Sequence, residues 1–588
     1  MYKQGQWHLS ELATDHKSPQ FAKQITELEY RVKKFEKLKN ILRPSIKSKD
    51  FFKIIRNIEE ISERTSKVTG YASLLYAADT QSDEATSLLT RMTKLGSQID
   101  NKMLFFDLWW KRKIDDKNAL RLMKGAGDLR EYLRHKRLLA KYSLSEPEEK
   151  IINTLDVTGS TALVKLYDKI TNAFEYIVTI NGKKKKLTRE ELTVLVRSTN
   201  PKIRELAYKT LLTKFHASKG VLGEIYQNLV LNWKDEGIEI RGYSTPISIR
   251  NISNDIDDKT VQSLLEVCKN NAGVFYEFFS YKAKSLGIKK LRRYDLYAPN
   301  TKKLKEKNYP YQKAAMLVLD SLAKFSPTLS EYAERVFREN HIDSEIRTGK
   351  RDGAFCSTIT PKITPFVLLN YTGKSRDVFT LAHELGHAIH SQAASGQSIL
   401  VSEAPLPLAE TASTFSELLL YDNISGQMTD DEKRLILSEK IDDLYATIMR
   451  QAFFTIFEID AHKQIADGTT IEQISKTYLA NLKSQFASSV ELSNDFEIEW
   501  SCIPHFFHTP FYCYAYSFGN LLSLSLYQKY KREGSSFARD YTKILAAGGS
   551  KKPEDLLREY GIDIGSKKFW QDGFDYVKSQ VRELVSLN

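Results

Sequence analysis

Among 588 residues there are only four cysteines, Cys268, Cys356, Cys502 and Cys513. They are widely spaced and form no Cys-x-x-Cys pair, which excludes a disulfide framework and fits free thiols in a reducing compartment. Cys356 and Cys513 fall near segments with chemical content, yet no nucleophile pattern surrounds them, and they read as small apolar fillers. Long hydrophobic runs are also missing: none reaches the roughly 18 residues that would suggest a membrane-spanning helix. The N-terminus, MYKQGQWHLSELATDHK, has no apolar stretch of the kind that makes a secretory signal. The expected location is therefore the cytoplasm, with no membrane partner. Internal repeats, low-complexity tracts and long Pro/Gly linkers are absent as well.

The net charge of +13 and the pI near 9.1 raise the question of nucleic acid. The basic residues are spread along the chain and interleaved with acids or apolar positions, as on solvated helix faces. The densest run, Lys183 to Lys186, follows Asn181-Gly182 in YIVTINGKKKKLT, which reads as a β-hairpin whose lysines protect a strand edge. Nucleic acid is not the expected partner. A basic surface can equally steer acidic peptides.

The most informative segment is TLAHELGHAIH, which holds His383, Glu384 and His387. On a helix, two histidines four residues apart project from one face, about a turn from each other, and can share one Zn²⁺. Glu384 then lies beside the metal without binding it and can take a proton from water, as the general base of a metallopeptidase does. The flanks read as helix: Ser375 as N-cap, Asp377 in the first turn, apolar Val378, Leu381, Ala382, Leu385 and Ile389, and a stop at Ser395-Gly396.

A catalytic zinc needs a third protein ligand and an open position. Downstream, PLPLAETASTFSELLL carries a helical apolar stripe of Leu408, Ala412, Phe415 and Leu419, with Glu410 on another side. Glu417, two turns on, shares the face of Glu410 and is placed to hold a ligand histidine or solvent. Glu403, in a loop ahead of two prolines, is the rival third ligand. Spacing alone leaves both open.

HELGHAIHS followed by AETASTFSE, with HFFHTPFYCYAYSFG near the C-terminus, resembles the M3 zinc oligopeptidases, specifically their oligoendopeptidase F branch. The resemblance covers most of the chain, clearly from about Arg351 to Gly519. It implies Glu410 as third ligand and one Zn²⁺ per chain. It further implies a mainly α, multi-lobed, zincin-type fold with a small β-sheet beside the HExxH helix and a deep substrate channel that admits only short peptides.

Peptide hydrolysis creates an oxyanion that needs hydrogen-bond donors, and a tyrosine hydroxyl remains a donor at neutral pH. Tyr512 and Tyr516, four apart, are expected to share a helical face, with His505 and His508 in the loop before Pro510. The resemblance implies that a histidine and tyrosines of this segment bind substrate; Tyr516 and His505 match best, and His508 and Tyr512 follow. Without the zinc motif such a stripe would read simply as core, and Tyr514 and Phe518 are expected there.

Just before the metal helix, GAFCSTITPKITPFVLLNYTG forms a β-rich stretch. Pro365 argues that the strand expected from Phe366 to Tyr371 lies at a sheet edge, where an extended peptide could add itself against Phe366, Val367 and Leu368. Gly353 would let a neighbouring loop approach that peptide.

The remaining pattern is helical. Tyr30 to Asn40 and Phe51 to Thr65 are amphipathic, MLFFDLWWK docks helices, and Ser145 and Thr188 open helices by capping signals. Ile441, Leu444, Tyr445, Ile448 and Met449 mark a buried face. The expected organisation is a helical lobe over 1–112, a module with the hairpin over 113–195, and a catalytic region over 196–588. The expected function is a zinc endopeptidase acting on oligopeptides. The competing readings are an HExxH metallocarboxypeptidase and a basic helical nucleic-acid-binding protein with a vestigial metal site.

Overall fold

The computed structural model describes residues 2–299 and 307–587, and the chain is mainly α-helical, as expected. Two units are distinguished, each assembled from three separate stretches of sequence. The first comprises the described residues of Met1–Lys141, Glu306–Met428 and Leu526–Asp563. The second comprises those of Tyr142–Lys305, Thr429–Ser525 and Ile564–Asn588. No helix among the described residues is long and apolar enough to cross a membrane. All four cysteines are free thiols.

In the first unit, helix Pro19–Glu36 starts where the Ser18 hydroxyl accepts from the Phe21 N–H at 3.1 Å, with proline at the first helical position. It packs with the long helices Ser48–Ala78 and Asp83–Leu108. The MLFFDLWWK cluster docks them: the Phe51 ring stacks on Trp110 at 5.3 Å and lies 6.1 Å from Phe106. Trp110 can be wholly buried because its indole N–H donates to the Leu133 carbonyl at 2.9 Å. The helix does not simply run on through Lys111, since Trp109–Lys113 widens into a π turn.

In the second unit, Tyr176–Ile180 pairs with Lys183–Leu187 through a two-residue turn. Asn181 and Gly182 have φ of 52° and 77°, the left-handed values such a turn requires. Thr188 and Glu191 then cap helix Arg189–Val196 reciprocally, at 3.3 and 2.7 Å. The face from Ile441 to Met449 is buried as its periodicity predicts, although a π turn at Tyr445–Met449 separates helix Asp430–Leu444 from helix Arg450–Ala466.

The three-stranded sheet of the first unit corrects one expectation. Phe366–Leu368 is its central strand, parallel to Ile342–Asp343 and antiparallel to Phe355–Ser357, and all three of its residues are fully buried. Pro365 is tolerated because it precedes the paired residues: the ladder N–H groups on this side come from Val367 and Leu369, which donate to His341 and Asp343 carbonyls at 2.8 Å. The outer side of Ile342–Asp343 is closed by the N-terminal arm. There Ser344 N–H donates to Gly5 O and His8 N–H to Asn340 O, each at 2.9 Å. Phe355–Ser357 is the strand at the sheet's edge. Phe366, Val367 and Leu368 therefore have no free backbone to offer a peptide.

Replacing Trp110 by Ala removes both the ring packing and the buried hydrogen bond. Its expected cost is about 3–5 kcal/mol to the first unit, read as a lowered urea midpoint of the phase that reports on this unit; an unchanged midpoint would show that the cluster does not hold these helices.

Candidate active site

Helix Ser375–Ala393 carries the HExxH residues. Its N-cap is Lys374 rather than Ser375, because Asp377 does the capping: its Oδ2 accepts from Thr372 N–H at 2.7 Å, Thr372 Oγ1 at 2.6 Å and Lys374 N–H at 3.1 Å. Farther along, Ser391 Oγ lies 2.5 Å from Thr358 Oγ1, fixing this helix against the segment that follows the edge strand.

Helix Thr411–Ser425 crosses the HExxH helix at Gly386. A Cβ at Gly386 would lie 2.5 Å from both Ala412 O and Ser413 Cα, so only glycine permits this approach. Glu410 is the residue just before the helix, not a side chain within it, and its Oε2 accepts from Ser413 Oγ at 2.7 Å. The crossing brings three donors together. His383 Nε2 and His387 Nε2 are 3.2 Å apart, and Glu410 Oε2 lies 3.4 and 3.5 Å from them. A tetrahedral ion with bonds of about 2.05 Å separates its ligands by about 3.3 Å. The donor set fits zinc in both chemistry and spacing.

Glu417 Oε1 meets His383 Nδ1 at 2.6 Å, leaving Nε2 directed at the shared centre. Glu403 is exposed and takes no part in the group. Glu384, on the same helix, is buried.

Burial opposes a charge on His383, but the hydrogen bond to Glu417 and the fields of Glu417, Glu410 and Glu384 outweigh it and raise the imidazole to about 9. Burial holds His387 below its usual value, against the pull of Glu410. Glu384 is raised by burial to about 7, with Glu410 and Glu417 adding to the effect and His383 opposing it. The three carboxylates thus surround two imidazoles with excess negative charge, the environment a divalent cation complements.

Gly353 has φ of 76° and open space where a side chain would stand, beside the edge strand Phe355–Ser357. In the second unit His505, Tyr512 and Tyr516 form one aromatic set. His505 Nε2 lies 3.4 Å from the Tyr516 hydroxyl, and Tyr512 packs on His505 and Tyr516 at 6.2 and 5.3 Å between ring centres. Burial lowers the affinity of His505 for a second proton, with the charges of His508 and Arg450 acting the same way. His508 is directed elsewhere, to Asp168 at 2.8 Å and edge-on to Tyr167.

Two local expectations need correction. His505 and His508 sit on a short helix, Pro504–His508, not in a loop, because Pro504 provides a good first helical residue. Tyr512 lies in the turn before helix Tyr514–Glu533, so it meets Tyr516 across a turn and not along one helical face. Tyr514 and Phe518 are fully buried, as expected.

That turn depends on residues the motif does not contain. Phe511 has φ of 57°, and its N–H donates to Glu458 Oε1 at 2.9 Å. Arg250 Nε donates to Pro510 O at 3.1 Å, and Asn254 Nδ2 to the Tyr514 hydroxyl at 2.8 Å. Glu458 lies in TIFEIDAH, where a glutamate four residues from His462 reads as an ordinary helix-surface acid; nothing in the sequence marks it.

Two measurements check this description. Gly386→Ala is expected to weaken zinc binding about 10–100-fold while helical content is retained, as read by chelator competition and circular dichroism. Unchanged affinity would mean that the helix crossing does not set the ligand spacing. Burial pushes Glu458 from 4.5 up to about 8, with the Phe511 N–H and Arg250 pulling the other way. Folding therefore binds a proton in this window. The stabilising contribution is complete below about pH 4.5 and declines toward pH 8, by up to about 1.4 kcal/mol per unit. Glu458→Gln keeps an acceptor for Phe511 and removes the titration, so its stability relative to the unmodified protein rises between pH 6 and 8. Parallel curves would contradict the assignment.

Comparison with known proteins identifies the family. Residues 194–576 match the family model described as peptidase family M3, and residues 113–176 match one described as oligopeptidase F. An oligoendopeptidase F homolog of Borreliella burgdorferi is 28% identical over 99% of this chain and 98% of its own length. The chromosomal oligoendopeptidase F of Lactococcus lactis subsp. cremoris is 25% identical over 91% and 89%. A solved structure from Chlamydophila abortus matches with a TM-score of 0.88 at 24% identity, over 99% of this chain and 98% of that one. Oligoendopeptidase-F from Enterococcus faecium matches at 0.70 and 21%, over 97% and 98%. With the M3 match spanning well over half of its length and a candidate metal-ligand group of His383, His387 and Glu410 at the crossing of two helices, the chain belongs to peptidase family M3 and is a metalloendopeptidase.

Proposed function

We propose that this protein is a zinc-dependent oligoendopeptidase that cleaves internal bonds of short peptides, with His383, His387 and Glu410 as metal ligands. The observation that carries the reading is the convergence of His383 Nε2, His387 Nε2 and Glu410 Oε2 at 3.2–3.5 Å, the edge lengths of a tetrahedral zinc site. The names of the relatives, oligoendopeptidase F among them, support the substrate class. Four free thiols suit a reducing compartment such as the cytoplasm.

When bound, zinc supplies Lewis acidity for a water molecule and for the peptide carbonyl. Glu384 accepts the proton that the attacking water releases as its oxygen bonds to the carbonyl carbon. The carboxyl then returns that proton to the nitrogen as the C–N bond breaks. A carboxylate raised toward neutrality by burial is suited to both transfers. Glu417 holds His383 in the tautomer that presents Nε2. Tyr516 donates its hydroxyl to the developing oxyanion. His505, kept neutral by burial, donates a second hydrogen bond, and Tyr512 packs both rings in place.

The substrate backbone is proposed to pair with the edge strand Phe355–Ser357, one place outward from the strand favoured by sequence. Main-chain pairing accepts many side chains. Gly353, with its open side, leaves room for the peptide next to that strand.

A peptide blocked at both ends and internally quenched provides the test, assayed with and without a chelator. Glu384→Gln should reduce turnover about 10²–10⁴-fold while zinc content stays at one per chain, because Glu384 is not a ligand. Turnover surviving this substitution, or insensitivity to metal removal, would overturn the mechanism.

A further inference from the structure

The second unit contains a concentration of guanidinium groups that the mechanism leaves unused. Arg197, Arg293 and Arg450 all lie against the ring of Tyr297, their guanidinium carbons 5.9, 6.0 and 5.9 Å from its centre. Three like charges around one ring repel, so their gathering requires compensation. Arg293 has it: its Nη2 donates to Glu499 Oε1 at 2.5 Å. The other oxygen of Glu499 accepts from the Tyr478 hydroxyl at 3.1 Å, which leaves that carboxylate fully engaged. Asp442, whose carboxyl feels the charge of Arg197, holds the Lys282 ammonium through both oxygens at 2.7 and 2.6 Å.

Arg450 and Arg197 differ. Among the described residues neither forms an ion pair with a carboxylate. Arg450 is half-buried and rests on the Phe454 ring at 4.9 Å; Arg197 is exposed. Beside them, among the described residues, the Tyr297 hydroxyl is buried with no hydrogen-bond partner, as is Arg293 Nε. A phenol and a guanidinium N–H without acceptors among the described residues, next to two guanidinium groups that no carboxylate contacts directly, form a set of donors that calls for an anion.

The cluster adjoins the substrate-facing aromatic set. The Phe454 ring beneath Arg450 packs on Phe506 at 5.4 Å, and Phe506 is the chain neighbour of His505. The charge of Arg450 is felt at the His505 imidazole.

We propose that Arg450 and Arg197, with the Tyr297 hydroxyl, form a carboxylate-binding site that recognises the free C-terminal carboxylate of a peptide held at His505 and Tyr516. The proposal rests on the oligoendopeptidase reading for its substrate. Guanidinium forks bind a planar carboxylate through paired hydrogen bonds, and every unblocked peptide carries one such group at a fixed end. An acidic side chain offers the same chemistry at arbitrary positions. A site that reads the chain terminus restricts cleavage to bonds a limited number of residues from it, and so selects short peptides by recognition in addition to any steric restriction.

The test uses zinc-loaded full-length protein and three internally quenched peptides of one sequence: the C-terminal acid, the C-terminal amide, and the amide with glutamate at the penultimate position. The acid should exceed the plain amide about tenfold in kcat/KM, mainly through KM. Arg450→Gln and, separately, Arg197→Gln should each move that ratio toward one, and Arg450→Lys should keep part of it. Arg197 is exposed, so its variant reports even where loss of Arg450 disturbs folding. A ratio near one in the unmodified protein, or a ratio unchanged in both Gln variants, would overturn the site. Recovery of the acid's rate by the glutamate amide would assign the site to side chains and overturn terminal recognition. The endopeptidase reading fails separately, if neither amide is cleaved in a chelator-sensitive manner.

Discussion

The metal site depends on one backbone contact. At Gly386 the HExxH helix has no side chain, and the chain at Ala412 and Ser413 occupies the space where a Cβ would stand. With any larger residue the helices would separate, and Glu410 and Glu417 would withdraw from the histidines together. Packing behind the crossing keeps it closed. Phe415, on the second helix, stacks on Tyr541 at 4.4 Å and packs on Phe325 at 5.0 Å, and the Tyr541 hydroxyl donates to the Thr411 carbonyl at 2.9 Å. Burying each of these rings is worth about 1.5–3 kcal/mol, enough to hold the crossing at a separation that helix propensity alone would not choose.

Charge sets the site apart from the other buried ionic clusters of the chain. Three of those clusters pair a carboxylate with a permanent cation: Asp295 with Arg204, Glu499 with Arg293, Asp442 with Lys282. Glu410 and Glu417 instead face imidazoles, whose charge is conditional at neutral pH. The consequence is visible in opposed proton affinities within one helix turn, His383 raised to about 9 and His387 lowered. An arrangement that leaves protonation this evenly balanced is poor as a structural ion pair and suitable for ligands that must be deprotonated to bind metal.

Sequence was most informative where function is local. Spacing left Glu403 and Glu410 both open as the third donor and only the family resemblance separated them, whereas His383 and His387 are brought together by helix geometry alone. The same holds for the Asn181-Gly182 turn and the Thr188 cap, which involve neighbours within a few residues. It was least informative where partners come from far along the chain. Phe366–Leu368 became a central strand because the sheet is built from Ile342–Asp343, Phe355–Ser357 and an N-terminal arm more than three hundred residues away, and proline chemistry at one position cannot reveal that order. His508 matched a motif by position but points to Asp168, again a partner remote in sequence. Glu458 left no trace at all, since a glutamate on a helix is the commonest way of facing solvent.

The Phe511 turn shows how such remote partners fix a local geometry, here that of the residues proposed to stabilise the oxyanion. A left-handed backbone costs a non-glycine residue roughly 1–2 kcal/mol, and glycine would avoid that cost. The Phe511 ring, however, is completely buried and lies 4.5 Å from the His462 ring, and burial of such a side chain contributes about 1.5–3 kcal/mol. The burial outweighs the strain, and glycine would surrender it. Glu458 and Arg250 hold the N–H and the C=O of the one peptide group that enters the strained residue, and the Tyr512 N–H in the next donates to the Thr509 carbonyl at 3.2 Å, so the direction of the chain into Tyr512 is determined before any substrate arrives. Hydrogen-bond donors aimed at an oxyanion are effective to the extent that they need not reorganise as charge develops. Strain held by distant side chains is how this chain keeps Tyr512, Tyr516 and His505 in a single arrangement.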